Sequence, residues 1–227
     1  MNQFNIPVLP QKLAQQQAAI NGCLPAPGAR YNSKNWMQTF VGDPDLMGIL
    51  KKFPSPISRN QVASLYGGGN FRQLFLASMI WGHTTRGYGP YRTRLILGHP
   101  QTHQVIQTAV GLVVANKIKS AYESMSIPGL GSAFFTKFLY FVGLGANIRP
   151  LPVILDTTVA GAFERMSVQG GWKFTDFANV TRNKDGGIGY IKPFGEGYMR
   201  YVDTVNQWSK QLGCPPDHVE YFMFRYC

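Results

Sequence analysis

Apolar residues recur at three- and four-residue intervals along most of this 227-residue chain, the spacing that gathers them on one face of a helix. Phe71 to Trp81 carries the pattern through Leu74, Phe75, Leu76, Met79 and Ile80 and predicts a helix. A shorter helix is expected from Asn60 to Leu65, with Gly67-Gly68-Gly69-Asn70 breaking the chain between the two. Gln104 to Ser124 reads as one further helix, and Ser132 to Gly143 as another, with Phe134, Phe138, Phe141 and Val142 apolar. Residues 1–30 mix Pro7, Pro10, Gln15-Gln16-Gln17, Pro25 and Pro27, which predicts a short helix between irregular stretches, an arm packed onto the core. No β alternation of any length stands out. The expected class is therefore mainly α, with residues 1–227 forming one compact domain.

Composition adds a partner. Lys and Arg number 22 against 11 acidic residues, a net charge of +11. The excess is scattered along the chain instead of sitting in a tail, which favours a polyanion. Cys23, Cys214 and Cys227 are odd in number and widely separated, so neither a disulfide framework nor a zinc cluster is indicated, and a reducing cytoplasm fits. His99 and His103 alone among the histidines have helical metal-ligand spacing, without a Cys or Glu close by, so no metal is expected. No window approaches a bilayer span, and Met1 to Pro10 lacks a basic patch followed by an apolar core. A cytoplasmic protein without a membrane partner is the expectation.

Three segments carry candidate chemistry. His83-Thr-Thr-Arg86-Gly-Tyr88-Gly-Pro90-Tyr91-Arg92-Thr-Arg94 reads as a loop between apolar helices. Arg86, Arg92 and Arg94 offer charge-assisted bonds to phosphate oxygens, and Tyr88 a face for a base; a merely solvated loop is the alternative. Residues 113–143 read as helix, tight turn, helix, the turn being Ile127-Pro128-Gly129-Leu130-Gly131. Gly129 and Gly131 let the backbone bend sharply and approach a ligand, and the N–H groups from Ser132 onward then point outward, an arrangement able to hold a phosphate. A plain helical connection is the alternative. Neither the Gly67–Gly69 run nor Lys184-Asp-Gly-Gly-Ile-Gly189 follows a predicted strand, and both are read as turns or loops. Asp156 ends the apolar run Leu151-Pro-Val-Ile-Leu155 and precedes a helix, so it can cap that helix through the Thr158 or Val159 N–H, or supply a fixed carboxylate.

Ile-Pro-Gly-Leu-Gly followed by a helix, then an Asp after an apolar stretch, resembles the helix-hairpin-helix DNA glycosylase superfamily. Ala133-Phe-Phe-Thr-Lys137-Phe-Leu-Tyr-Phe141 and Leu155-Asp156 are similar to its bacterial 8-oxoguanine-glycosylase-like branch, over the stretch from Gly67 to Arg165 and more loosely beyond. The resemblance implies a helix-hairpin-helix glycosylase fold and a monomer, in the bacterial cytoplasm or nucleoid, that excises a modified base from double-stranded DNA. Asp156 would stabilise the sugar cation formed as the N-glycosidic bond breaks. Lyase-active members usually carry a lysine two residues after the second hairpin glycine, where this chain has Ala133. Lys137, one turn on, shares nearly the same helix face; it could act as nucleophile, bind a phosphate or hold the departing base. A flipped base needs an aromatic pocket, for which Trp81, Tyr88, Phe194, Trp208, Tyr221 and Phe222 are candidates, although large apolar residues usually belong to the core, with Glu220 a candidate for its edge. The resemblance requires no cofactor but implies K⁺ or Na⁺ on the Gly129 to Gly131 carbonyls. Its members suggest two substrates: oxidised guanine, and glucosylated 5-hydroxymethylcytosine of phage DNA removed in antiviral defence, the second favoured by Ala133. A non-catalytic helix-hairpin-helix DNA-binding module and a protein whose basic loop binds an acidic partner are the competing readings.

Overall fold

The computed structural model describes residues 8–22, 28–168 and 173–226. Among them it is mainly α, as the periodicity predicts, with one two-stranded antiparallel sheet. In chain order the elements are α1 (Gln11–Gln15), α2 (Gln17–Asn21), α3 (Ser33–Thr39), α4 (Pro44–Lys52), α5 (Arg59–Ala63), α6 (Phe71–His83), α7 (Gly89–Leu97), α8 (Thr102–Val114), α9 (Ile118–Ser124), α10 (Ser132–Gly145), α11 (Thr157–Ser167), β1 (Ala178–Arg182), β2 (Ile188–Pro193), α12 (Gly195–Leu212) and α13 (Pro216–Tyr226). The described residues fall into two compact units, one from Ala26–Arg149 and one from Met1–Pro25 with Pro150–Cys227. No helix among them is long and apolar enough to cross a membrane.

The Ala26–Arg149 unit is built around α10, which is apolar on nearly every side and correspondingly buried from Phe135 to Gly143. Helix α6 packs along it: Phe75 meets Phe138 edge-on at 5.3 Å and Trp81 meets Phe141 at 5.4 Å. Full burial of such a side chain stabilises a fold by roughly 1.5–3 kcal/mol, so these two helices are the unit's main support. Asn70 starts α6 by accepting the Gln73 N–H at 3.0 Å, and Ser58 with Gln61 forms a reciprocal capping box on α5. The Gly67–Gly69 run closes a 3₁₀ turn spanning Ser64–Gly68 and ends at Gly69 in the left-handed region.

Two predicted boundaries are corrected in this unit. The single helix expected from Gln104 to Ser124 is two, because Asn116 adopts φ 57° between α8 and α9, a conformation that Asn tolerates better than most residues. The loop expected from His83 to Arg94 is confined to residues 84–88: Pro90, pre-set for a helical first turn, helps start α7, so Arg92 and Arg94 project from a helix.

The other unit holds both chain ends. Its arm comprises two short helices in place of one; Leu13 and Ile20 are fully buried, and the Gln17 side chain donates to the Leu212 carbonyl at 2.8 Å. Pro7, Pro25, Pro27, Cys23 and Cys227 lie outside the described residues. Phe163 of α11 anchors the core, meeting Tyr201 edge-on at 4.9 Å with Phe174 and Trp208 beside it. The expectation of no strand is overturned by the β1–β2 hairpin. Val180 pairs with Ile191, while Asn179, Thr181, Tyr190 and Lys192 alternate with them, a signal that Gly189 and Pro193 obscure in so short a run. The loop read at Lys184–Gly189 survives as the hairpin turn with Gly186 at φ 82°, but Ile188 and Gly189 belong to β2.

Candidate active site and cationic cluster

In the unit of the chain ends, Asp156 stands at the exit of an extended segment, residues 151–155, that is buried throughout. Buried backbone outside a regular element must find partners. Helix α12 supplies them. Asn206 accepts the Leu151 N–H and donates to the Leu151 carbonyl, both at 2.9 Å; Tyr198 donates to the Val153 carbonyl at 3.0 Å and Tyr201 to the Ile154 carbonyl at 2.7 Å. These bonds fix the backbone leading into Asp156. The residue is then the N-cap of α11, with extended backbone and Oδ1 accepting the Val159 N–H at 3.0 Å. The cap holds the carboxylate in one orientation at the positive end of the helix while it stays half-buried.

In the Ala26–Arg149 unit, the turn between α9 and α10 has Gly129 at φ 81°, a conformation that excludes most side chains. Gly131 is different: its backbone is extended, and a Cβ built on it meets nothing within 4 Å. The sequence gives both glycines a part in the bend; only Gly129 needs to be one for that reason. Gly131 is the N-cap of α10 and has no side chain to accept from the first turn; its carbonyl accepts the Phe134 N–H at 2.9 Å, and the space where its side chain would stand is open. Ser132 is buried directly behind it.

Beside this turn a cluster gathers that the sequence reading assembled only in part. His83, the last residue of α6, is buried, with its ring stacked on Phe134 at 4.1 Å and 28°. Gly89 makes room for it, since a Cβ there would lie 2.5 Å from the His83 Cβ and Cγ. The Arg92 guanidinium carbon lies 5.9 Å and the Lys137 Nζ 5.5 Å from the centre of the same Phe134 ring. Lys137 is itself buried; its stem runs along α6 at Gly82, and its Nζ donates to the Ala133 carbonyl at 2.6 Å. Among the described residues, His83 Nε2 has no hydrogen-bond partner. Burial, with the charges of Arg92, Lys137 and Arg86 around it, pushes this imidazole down to about 4, so it is neutral at ordinary pH. A histidine closing an apolar helix just before three arginines was the available signal.

Arg92 also donates through Nε to the Gly129 carbonyl at 2.9 Å. A guanidinium on that carbonyl puts fixed positive charge where a monovalent cation would have to bind, so the residues present do not fit K⁺ or Na⁺ there. Arg86 and Tyr88 are exposed in residues 84–88, and Arg94 is exposed on α7, its guanidinium 5.8 Å from the Tyr91 ring.

The base-pocket candidates are placed separately. Trp81 is half-buried on α6, with the Arg59 guanidinium 5.3 Å from its ring. In the unit of the chain ends, Phe194 is 53% exposed at the start of α12, Tyr221 is half-buried, and Glu220, Phe222 and Trp208 are buried.

No curated protein and no solved structure matches the chain. One family model does, over residues 23–224, and its description is "Putative 8-oxoguanine DNA glycosylase OGG-like protein".

Proposed function

The chain belongs to the 8-oxoguanine DNA glycosylase OGG-like family, and on that premise we propose that it flips a modified base out of duplex DNA and cleaves its N-glycosidic bond, with Asp156 as the catalytic carboxylate. The observation that carries the reading is the mounting of Asp156: an acid oriented by the Val159 N–H at the end of a segment tied down by Asn206, Tyr198 and Tyr201. A helix cap alone needs no such support behind it.

The chemistry follows from the bond that breaks. As the C1′–N bond lengthens, its electron pair leaves with the base and positive charge grows on C1′ and the ring oxygen. A carboxylate held in place beforehand stabilises that charge without reorganising during the reaction. Water then adds to C1′ and its proton ends on the departed base, leaving an abasic site and the neutral free base. The open space at Gly131, at the positive end of α10, suits one DNA phosphate in a helix-hairpin-helix manner, and Arg86, Arg92 and Arg94 suit others, with Tyr88 exposed for stacking. Lys137 serves DNA binding as a positive charge and not the glycosidic step as a nucleophile, because its amine is engaged by the Ala133 carbonyl and the usual lysine position is Ala133. Trp81 and Phe194 are the pocket candidates with surface to offer a base.

Two substrates remain in the reading. The family's description names 8-oxoguanine. Ala133 in place of the lysine favours a base outside ordinary oxidised-guanine repair, namely glucosylated 5-hydroxymethylcytosine in antiviral defence. Incubation with duplexes carrying each base, followed by mass analysis of what is released, decides between them. Release of either supports the glycosylase reading, and release of neither, nor of any base from phage DNA bearing the second modification, contradicts it.

A further inference from the structure

The cluster around Phe134 has a chemistry that the glycosidic step does not use. A buried side-chain nitrogen without a hydrogen bond costs a fold roughly 1–3 kcal/mol, and His83 Nε2 is such an atom. It lies among like charges. Arg92, Lys137 and Arg86 all act on it, and among the described residues no acidic group does. Arg92 and Lys137 lie within 6 Å of the ring on which His83 stacks, by the 5.9 Å and 5.5 Å separations. Positive charges gathered around an unpartnered ring nitrogen are each stabilised by an anion, and a tetrahedral oxyanion has enough acceptor oxygens to serve them, and an N–H on that nitrogen, together.

We propose that His83, Arg92 and Lys137 form an oxyanion-binding site floored by Phe134, and that it takes a phosphate group. Phe134 and Arg92 are half-buried beside the Gly129 turn, so the rim of the site reaches the surface, while His83 Nε2 lies buried beneath it and an anion reaches it only as the Arg92 and Phe134 side chains shift. His83 binds as the neutral imidazole, donating from Nε2. The two cations supply charge. Identifying the phosphate with one of the DNA backbone rests on the glycosylase reading; the affinity for an oxyanion does not.

A neutral donor is useful in this position. Were His83 charged, four cations would share the cluster and repel one another whenever no anion is bound. Keeping it neutral lets the site exist empty and still offer a directed N–H. The groups facing His83 are Arg92 and Arg86 from the α7 side and Lys137 from α10, so the imidazole stays below its ordinary value until an anion offsets them.

The test uses the full chain and side-chain NMR of its four histidines, assigned by the signal lost in His83→Gln. Inorganic phosphate is titrated at pH 7 against chloride of equal ionic strength. The expected result is a saturable shift of the His83 ring signals with a dissociation constant on the order of 1 mM or tighter. Arg92→Gln weakens it about tenfold, which is ~1.4 kcal/mol. His83→Gln, which keeps an N–H donor, retains phosphate binding better than His83→Leu. A 5′-phosphorylated duplex and an unmodified one distinguish a backbone phosphate from a terminal or free one. His83 signals that do not move with phosphate or either duplex overturn the proposal, whether or not base is excised. If they move while no base is ever released, the oxyanion site stands and the glycosylase reading fails.

Discussion

The Tyr201 hydroxyl donates to the Ile154 carbonyl at 2.7 Å, two residues before Asp156. Both groups are buried, so the bond ties α12 to the backbone that presents the carboxylate. Tyr201→Phe removes the donor and leaves the carbonyl unsatisfied, a loss of about 1–3 kcal/mol. Denaturant melts should show that loss. Single-turnover base release should slow while DNA affinity holds, because the damage falls on positioning; a stability loss with an unchanged rate would reduce Tyr201 to a structural part.

DNA affinity should fall steeply with salt. Arg86 and Arg94 are exposed and Arg92 half-exposed, and each phosphate they neutralise releases counterions. Removing one such contact should reduce the slope of log K against log salt by about 1. Arg94→Ala is the cleaner variant, since Arg92 also holds the Gly129 carbonyl. Binding that ignores salt would point to a partner other than nucleic acid.

Acid should destabilise the protein through His83. Its folded value is about 4 against an ordinary 6.5, so between these the unfolded chain binds more protons and stability rises with pH. The contribution is complete above about 6.5 and is lost as pH falls through about 4, on the order of a few kcal/mol at ~1.4 per unit. Melting temperatures from pH 7 to 4 should drop less in His83→Gln than in the parent. Parallel curves would show that the imidazole is not the group responsible.

Much of this was legible in the sequence, and the misses have particular causes. Helices α6 and α10 are visible because their apolar runs are long, and Asp156 stands out as a cap after a hydrophobic run. The break at Asn116 was hidden by apolar periodicity that continues on both sides of one αL residue. The β1–β2 hairpin is too short, and too rich in Gly and polar residues, to show alternation. At the cationic cluster, Arg86 and Arg92 were visible as charge. His83 was not, because its importance comes from Phe134 and Lys137, residues 51 and 54 positions away in the chain that α10 lays against the end of α6. Periodicity finds helices; which of their ends meet is decided by packing.

Lys137 should not form a covalent intermediate. Its Nζ bonds the Ala133 carbonyl on its own helix, and attack on a sugar carbon would require that bond to break and the amine to lose its proton. Borohydride added during turnover should therefore trap no protein–DNA adduct, and strand scission should need added base. A trapped adduct lost in Lys137→Gln would make the enzyme a lyase and assign the nucleophile.

Asp156→Asn separates the charge of the carboxylate, which would stabilise the sugar cation, from its part as a helix cap. Asn caps a helix nearly as well and keeps the side chain's shape, so the Val159 N–H retains its acceptor and the fold should lose little. The missing charge should cost on the order of 3–4 kcal/mol in the transition state, or ~10²–10³ in rate, with DNA binding unchanged or slightly tighter. The measurement is single-turnover base release from a saturated complex, with the melting temperature and dissociation constant of the same preparation alongside. A folded, DNA-binding mutant that releases base within about threefold of the parent rate, ~0.7 kcal/mol, would make Asp156 a helix cap and contradict the mechanism.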